Sequence, residues 1–234
     1  MKRPLNKFIP CAMFGLLLAG CATTPPPPRP DYTNFRQFHP RSILVLPPVG
    51  GGNYNYLSTV TRPLAELGYY VFPVALVDQF LKDNGMSSSV EMHQAPLARL
   101  AELTGADAVL FLTMNQYGSR YQLDKFATTV SVAGRLVDVR SGLTLWEGSG
   151  SAYEDSDTET EYDSDKGFFT NILNDILSDF LSAAVDNAIY GRSDNAHALC
   201  DDANNELFFN PGYGLLYGPY HPHYGAEPRN SWFQ

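Results

Sequence analysis

The fold follows from a short run near the start of the folded part, Ser42-Ile43-Leu44-Val45-Leu46-Pro47-Pro48. Four consecutive apolar residues closed by prolines are typical of a strand buried on both faces of a sheet. Three glycines at 50–52 then provide a turn rather than a phosphate-binding loop, because the partner residues of such a loop are missing. The segment after them predicts a helix with one apolar face, formed by Leu57, Val60, Leu64 and Leu67.

The alternation of strand and helix continues to residue 114. Residues 69–73 predict a second strand, and 74–83 predict a second helix that ends at Asn84-Gly85. A third helix is predicted between Pro96 and Gly105, and a third apolar strand over 109–114. This order predicts parallel pairing with right-handed crossovers.

The second half of the chain changes character. The apolar positions of the strand at 130–139 change parity, so this strand either carries a bulge near Gly134 or is covered on both faces. Arg140-Ser141-Gly142 then turns the chain into residues 143–146, which predicts a β-hairpin. The fold class is therefore α/β, with a mixed sheet of about five strands. Its first half is parallel βαβ, an antiparallel hairpin lies at its edge, and a long helix packs on it.

The long helix is predicted over Asn171–Tyr190. Its apolar pairs recur every four residues, so the apolar stripe turns by about 160° along the helix and the two ends bury different faces. One interpretation is a helix that wraps the sheet and is capped by the C-terminal segment. The other is that the last turns, near Val185, Ala188 and Ile189, pack on a second protein or on a second copy of this chain, giving a homodimer.

The C-terminal segment is rich in aromatic residues, glycine and proline between 207 and 225. Such a stretch is too aromatic for a solvated tail, so it packs on its own domain or forms an aromatic clamp on a partner. The candidate partner-binding residues, together with Ile189, are Tyr213, Tyr217, Tyr220 and Tyr224. We expect the α/β domain to span 41–192 and this segment to span 193–234.

The N-terminus indicates where in the cell the protein is located. Residues 1–20 form a basic region, an apolar stretch and the ending Leu18-Ala19-Gly20, which has the layout of an export signal. Followed by Cys21, that ending resembles the bacterial lipobox, in which the cysteine is acylated. Residues 21–40, with five prolines before Asp31, predict a semi-rigid tether. Ala22 follows the cysteine, and by resemblance to enterobacterial sorting rules the absence of aspartate there favours transfer to the outer membrane, with the domain in the periplasm and surface exposure left open.

Charge and motifs exclude several classes of function. The net charge is −9, and loss of three cations with the signal leaves −12, which argues against a nucleic-acid partner. No motif of a hydrolase, metalloprotease or nucleotide-binding loop occurs, so neither cofactor nor catalytic residue is predicted. His221-Pro222-His223 is a weak metal pair. The acidic run at 154–165 is predicted to be a solvated excursion, with loose divalent-cation binding as the alternative.

Several stretches resemble a known family. They are 41–48, 63–75, 105–108, 136–142, 145–148 and 216–225. They look like the bacterial lipoproteins grouped around a genome-derived neisserial vaccine antigen. The resemblance implies a fold similar to the amino-terminal domain of TolB, to peptidoglycan-synthase activator lipoproteins and to part of the secretion lipoprotein CsgG. It also implies a CsgG-like lipoprotein as a partner, and it carries over only Cys21 as a functional position.

The expected function is a non-catalytic protein-interaction module in an envelope complex, serving secretion or cell-wall machinery. A periplasmic enzyme or small-ligand binder is the alternative. An enzyme would bring some of His39, His93 and His197 together with carboxylates in a cleft.

Overall fold

The computed structural model describes residues 29–51, 53–122, 125–157 and 192–228. Its strands are β1 Ser42–Val45, β2 Tyr70–Val71, β3 Ala108–Gln122, β4 Lys125–Asp138 and β5 Thr144–Asp157. Its helices are α1 Thr33–Phe38, α2 Asn53–Glu66, α3 Val74–Asp83, α4 Ser89–Gln94, α5 Leu97–Thr104 and α6 Arg192–Phe209. None of the described helices has the length and apolar content to cross a bilayer.

The five strands form one mixed sheet in the order β2-β1-β3-β4-β5. β1 pairs in parallel with both β2 and β3, whereas β3, β4 and β5 are antiparallel. The predicted α/β class, the parallel first half and the hairpin at the edge are therefore confirmed. The helix predicted over Asn171–Tyr190, and Ile189 within it, lie outside the described residues.

The change of parity in β4 reflects cover on both faces, the second of the two predicted alternatives. Val132 and Leu136 belong to one core, and Val139, just beyond the strand, belongs to the other. A bulge of this strand near Gly134, the first alternative, is corrected, because β4 keeps an unbroken register with β3 from Val132 to Asp138. The register with β5 shifts between Leu136 and Val137, but the extra residue there is Leu145 of β5. Gly134 packs against the Trp146 ring, where an added Cβ would lie 3.3 Å from Cζ3.

Two hydrophobic cores lie on opposite faces of the sheet. The larger core joins α1, α2 and α6 to one face and contains Phe35, Leu64, Leu110, Trp146 and Phe208. The smaller core joins α3, α4 and α5 to the other face and contains Leu44, Val77, Met92, Leu100 and Val109. The cover on the second face therefore comes from three short helices that follow one another in the chain.

The chain packs on the domain well before residue 41, so the extent of the expected tether is corrected. Phe35 of α1 is buried in the larger core. The Tyr32 hydroxyl donates to the carbonyl of Gly214, and the Asn34 amide donates to the carbonyl of Thr144. Residues 30–40 are part of the folded unit because α1 buries an aromatic side chain that a solvated tether lacks.

Helix α6 is the largest element that the sequence analysis did not predict. It packs on β4 and β5 and against α2. Within this contact, the Asn204 amide donates to Thr59 Oγ1 at 2.8 Å, and the Tyr56 hydroxyl donates to Asn204 Oδ1. The neighbouring Cys200 is buried, and that burial raises the pKa of its thiol to about 11. A buried hydrogen-bond network thus fixes α6 against α2.

The first residues of the acidic run belong to β5 rather than to a solvated excursion. Glu154 lies opposite Thr128, and Asp157 lies opposite Lys125. The excursion predicted from residue 154 is therefore corrected for 154–157, because these residues keep the ladder with β4. The remainder of the run lies outside the described residues.

Candidate interaction surfaces

The described part of the C-terminal segment packs on its own domain, which is the first of the two predicted alternatives. The backbone N–H of Gly218 donates to the carbonyl of Leu67 at 2.7 Å, and that of Tyr220 donates to Gly68 at 3.1 Å. The Trp146 indole donates to the carbonyl of Tyr213 at 2.9 Å. Gly218 permits this close approach, because an added Cβ would lie 2.5 Å from the Gly68 carbonyl oxygen.

The four tyrosines predicted to bind a partner occupy different environments. Tyr213 and Tyr217 are half-buried, and the Tyr217 ring stacks on His221 at 3.7 Å. Tyr220 is 68% exposed. Tyr224 is 43% exposed, and its hydroxyl meets Nδ1 of His39. Of the four, only Tyr220 and Tyr224 present much of their rings to solvent, and a partner-binding role for all four stays a prediction.

An open groove of about 1,010 Å³ runs along the outer edge of β5. It is lined by residues 144–149 of β5, by the start of the described chain, by the end of α6 and by parts of α4, β3 and β4 on the neighbouring sheet face. The charged residues of its lining are Arg29, Asp31, Arg135, Glu147 and Glu206. The groove therefore combines apolar and charged side chains and is bordered by a strand that ends the sheet.

Two side chains engage the backbone of β5 from its outer side. The Asn34 amide donates to the carbonyl of Thr144 at 3.0 Å. A Glu206 carboxylate oxygen accepts from the Ser151 N–H at 2.6 Å and from its hydroxyl at 3.1 Å. Because N–H groups alternate in direction along an antiparallel strand, those of Glu147 and Ser149 point the same way as that of Ser151, into the groove. No described residue bonds to either of them.

The sheet face above the groove is uncovered where the small helices end. Thr113, Arg135, Glu147 and Ser149 are all exposed on it. The Arg135 guanidinium lies over the Phe111 ring, 5.1 Å from its centroid. The antiparallel half of the sheet therefore has one face packed by α6 and one face open to solvent.

His93 lines the same groove, and it contacts a backbone carbonyl and an aromatic ring. Its Nε2 lies 3.0 Å from the carbonyl oxygen of Pro47, and its ring packs edge-on to Phe111 at 5.3 Å. Burial, and to a smaller extent Arg135, lower the pKa of His93. The other two candidate histidines lie apart: His39 contacts Tyr224, and His197 is exposed on α6. No carboxylate contacts His93 within the described residues, and there no group of three metal-ligating side chains forms.

A second exposed surface lies on α3 and β2. Val77 and Leu81 of α3 face the smaller core, whereas Leu76 is 70% exposed and Phe80 is 41% exposed one turn further on. Tyr70 of β2 is 52% exposed, and its ring packs edge-on to Phe72 at 5.1 Å. The term "α3 patch" below denotes Tyr70, Leu76 and Phe80.

The α3 patch was not predicted, although the sequence of α3 contains a second apolar stripe that indicates it. The apolar residues 74, 76, 77, 80 and 81 form two stripes on this helix, and only one stripe fits against the sheet. Residues 74, 77 and 81 share one stripe, and the structure buries Val77 and Leu81 of it. The remaining two positions had to face outward.

The sequence of this chain matches a known protein family. The family model described as "Putative lipoprotein GNA1162-like" matches residues 30–220. The chain belongs to this family. A relative from Neisseria meningitidis serogroup B, "Putative lipoprotein NMB1124/NMB1162", is 35% identical over 195 residues, which cover 81% of this chain and 85% of the relative. The predicted resemblance is thus confirmed, and membership of a lipoprotein family fits attachment to a membrane of the cell envelope.

Solved structures of other proteins are similar to this chain. The crystal structure of lipoprotein GNA1162 from Neisseria meningitidis has 37% identity and a TM-score of 0.48, and the match covers 61% of this chain and 99% of that one. The C-terminal domain of LpoB from Salmonella enterica has 20% identity and a TM-score of 0.34, over 48% of this chain and 82% of that domain.

Proposed function

We propose that this protein is an outer-membrane lipoprotein, anchored through Cys21, whose domain acts as a non-catalytic protein-interaction module in an envelope complex. Family membership supports the anchor, and Ala22 after the cysteine supports the outer membrane. The resemblance of the sequence supports other envelope lipoproteins, a CsgG-like one among them, as partners.

The observation that carries the proposal is the α3 patch. Leu76 and Phe80 are exposed one turn apart on a helix whose other side already packs on the core, and Tyr70 is exposed on the strand that precedes this helix. Single exposed apolar residues are ordinary, but adjacent large ones mark interaction surfaces, and aromatic residues are enriched at the centres of protein interfaces. Because these exposed side chains lie outside the domain's own core, we infer that their role is to contact a partner protein.

The test is a double substitution, Leu76→Ser with Phe80→Ser, in the full-length lipoprotein. Because both side chains already face water, we expect little change in the melting temperature. Loss of two central interface residues is expected to weaken partner binding by about 100-fold. Chemical crosslinking in native envelopes, followed by quantification of the crosslinked lipoproteins, measures this loss.

The matched control is Val90→Ser with Leu143→Ser, which removes two other exposed apolar side chains at a distance from α3 in the chain. The control chain is expected to keep the crosslinks of the wild type. Identical crosslinking of the wild type and the α3 double variant would contradict the proposal.

A further inference from the structure

The outer edge of β5 carries backbone groups that are positioned to pair with another strand. The Ser151 N–H and the Thr144 carbonyl point outward and are already engaged by Glu206 and Asn34. Between these two points the N–H and carbonyl groups of Glu147 and Ser149 face the groove. An exposed strand edge of this kind is a template for a further strand.

The open part of the edge has the length of a typical strand. From Thr144 to Ser151 the strand advances by seven residues, or about 23 Å. The groove continues beside this stretch, because residues 144–149 all line it. An added strand of five to seven residues can therefore pair with the N–H and carbonyl groups of Glu147 and Ser149, and the groove has room for its side chains.

The side chains beside the edge are small or acidic. Ser149 and Ser151 flank the open groups, and the neighbouring strand presents Ala133 and Ser131 on the same face. Within the stretch 144–151, Glu147 is the one charged residue of β5, and Glu206 adds a second carboxylate at the edge. Three further carboxylates, Glu154, Asp155 and Asp157, follow on the same strand, which has neither lysine nor arginine. Arg29 and Arg135 also line the groove, but Arg135 lies over Phe111 and Arg29 lies against Gly212.

This charge pattern selects the occupant. Opposite charges on directly paired strands stabilise a sheet, and like charges destabilise it. Two copies of β5 paired edge to edge over this stretch would bring the Glu147 and Glu206 carboxylates of both chains together, which disfavours a second copy of this chain. A segment that carries lysine or arginine at alternate positions complements the edge.

We propose that the outer edge of β5, between Thr144 and Ser151, binds an extended, lysine- or arginine-rich segment of another envelope protein by adding it as a sixth strand. The proposal rests on the interaction function proposed above and gives that function a second, chemically distinct surface. Arg29, which lines the groove, follows Cys21 by eight residues, so chain length alone keeps the groove within about 28 Å of an acylated Cys21. The bound segment is therefore expected to belong to a part of the partner that lies close to the membrane.

The test uses the full lipoprotein in detergent and a capped peptide, Lys-Val-Lys-Val-Lys-Val-Lys, with the Glu-Val peptide of the same length as its acidic match. Fluorescence anisotropy measures affinity, and amide hydrogen exchange locates the contact. We expect the basic peptide to bind at least about tenfold more tightly than the acidic one. Its binding is expected to slow exchange at the amides of Glu147 and Ser149.

Two changes separate strand addition from simple charge attraction. Ser149→Pro removes one outward N–H at an edge position, where proline is tolerated, and is expected to weaken peptide binding at least about tenfold. Ser149→Ala keeps the N–H and is expected to bind like the wild type. A basic peptide N-methylated at two adjacent central residues cannot pair through either edge and is expected not to bind, so the test does not depend on the folding of the proline variant.

Failure to bind the basic peptide at millimolar concentration would overturn the proposal. Binding that leaves exchange at Glu147 and Ser149 unchanged, or that tolerates N-methylation, would do the same. Self-association of the lipoprotein that protects these two amides without peptide would assign the edge to a second copy and overturn it as well. The α3 double variant is expected to bind the peptide normally, so failure here is distinct from failure of the proposed function.

Discussion

The two halves of the sheet are covered to different extents. In the parallel half, β1 and the start of β3 have helices on both faces, and Leu44 and Val109 are fully buried. In the antiparallel half, α6 covers one face and the other face is exposed at Thr113, Arg135 and Ser149. The parallel half has the double cover that parallel sheets require, whereas the antiparallel half is stable with one dry face. In the antiparallel half, the face that carries Thr113, Arg135 and Ser149 and the outer edge of β5 are therefore accessible to another protein.

The largest expected effect compares the two faces of β5 at adjacent residues. Gly150 faces α6, and an added Cβ would overlap the Ala203 carbonyl and lie 2.6 Å from the Leu207 nitrogen. Gly150→Ala therefore has to displace helix backbone, and we expect it to lower the free energy of unfolding by about 3 kcal/mol, the upper end of what overpacking usually costs. Ser149→Ala, on the open face, is expected to change it by less than about 0.5 kcal/mol.

Urea unfolding followed by circular dichroism measures both variants. Similar losses for Gly150→Ala and Ser149→Ala would show that the second face of β5 is also packed, and the contrast between the two faces would fail.

A smaller effect compares the two halves along one strand. Val109 and Thr113 lie on the same face of β3, four residues apart, and the helical cover ends between them. Val109→Ala removes buried apolar volume and is expected to lower the free energy of unfolding by about 2 kcal/mol. Thr113→Ala is expected to change it by less than about 0.5 kcal/mol. The same urea titration decides, and a loss above 1.5 kcal/mol for Thr113→Ala would place a cover over this position.

The elements that the sequence predicts well are those whose pattern is local. The apolar run at 42–46 and the turn at Arg140-Ser141-Gly142 indicate their structures without knowledge of what lies opposite them. Helix α4 was missed despite a capping box, in which Ser88 and Glu91 each accept from the other's backbone N–H. That signal was present in the sequence and could have revealed the helix.

Other elements depend on partners that a single sequence does not show. In α6 the pairs 199/200, 203/204 and 207/208 recur every four residues, but Asn204 interrupts the apolar pattern. Asn204 can be buried because its side-chain amide forms hydrogen bonds with Tyr56 and Thr59, which the sequence alone does not show. The extension of β5 into acidic residues was missed for a similar reason, because its stability comes from pairing with β4 rather than from its own composition.

The two candidate surfaces also differ in how well the local sequence predicts them. The edge position of β5 follows from the predicted hairpin, since the last strand of a hairpin at a sheet edge has one free side. The α3 patch follows only in part: two apolar stripes on α3 indicate that one of them faces outward, but the position of the helix on the sheet decides which one.

Amide hydrogen exchange of the isolated lipoprotein tests the open edge most directly. The N–H groups of Gly148 and Gly150 point toward β4, whereas those of Glu147 and Ser149 point into the groove. We expect the two glycine amides to exchange on the order of 100-fold more slowly than the amides of Glu147 and Ser149, after correction for intrinsic rates. Equal protection of all four amides would show that the edge of β5 is already paired and would contradict the account.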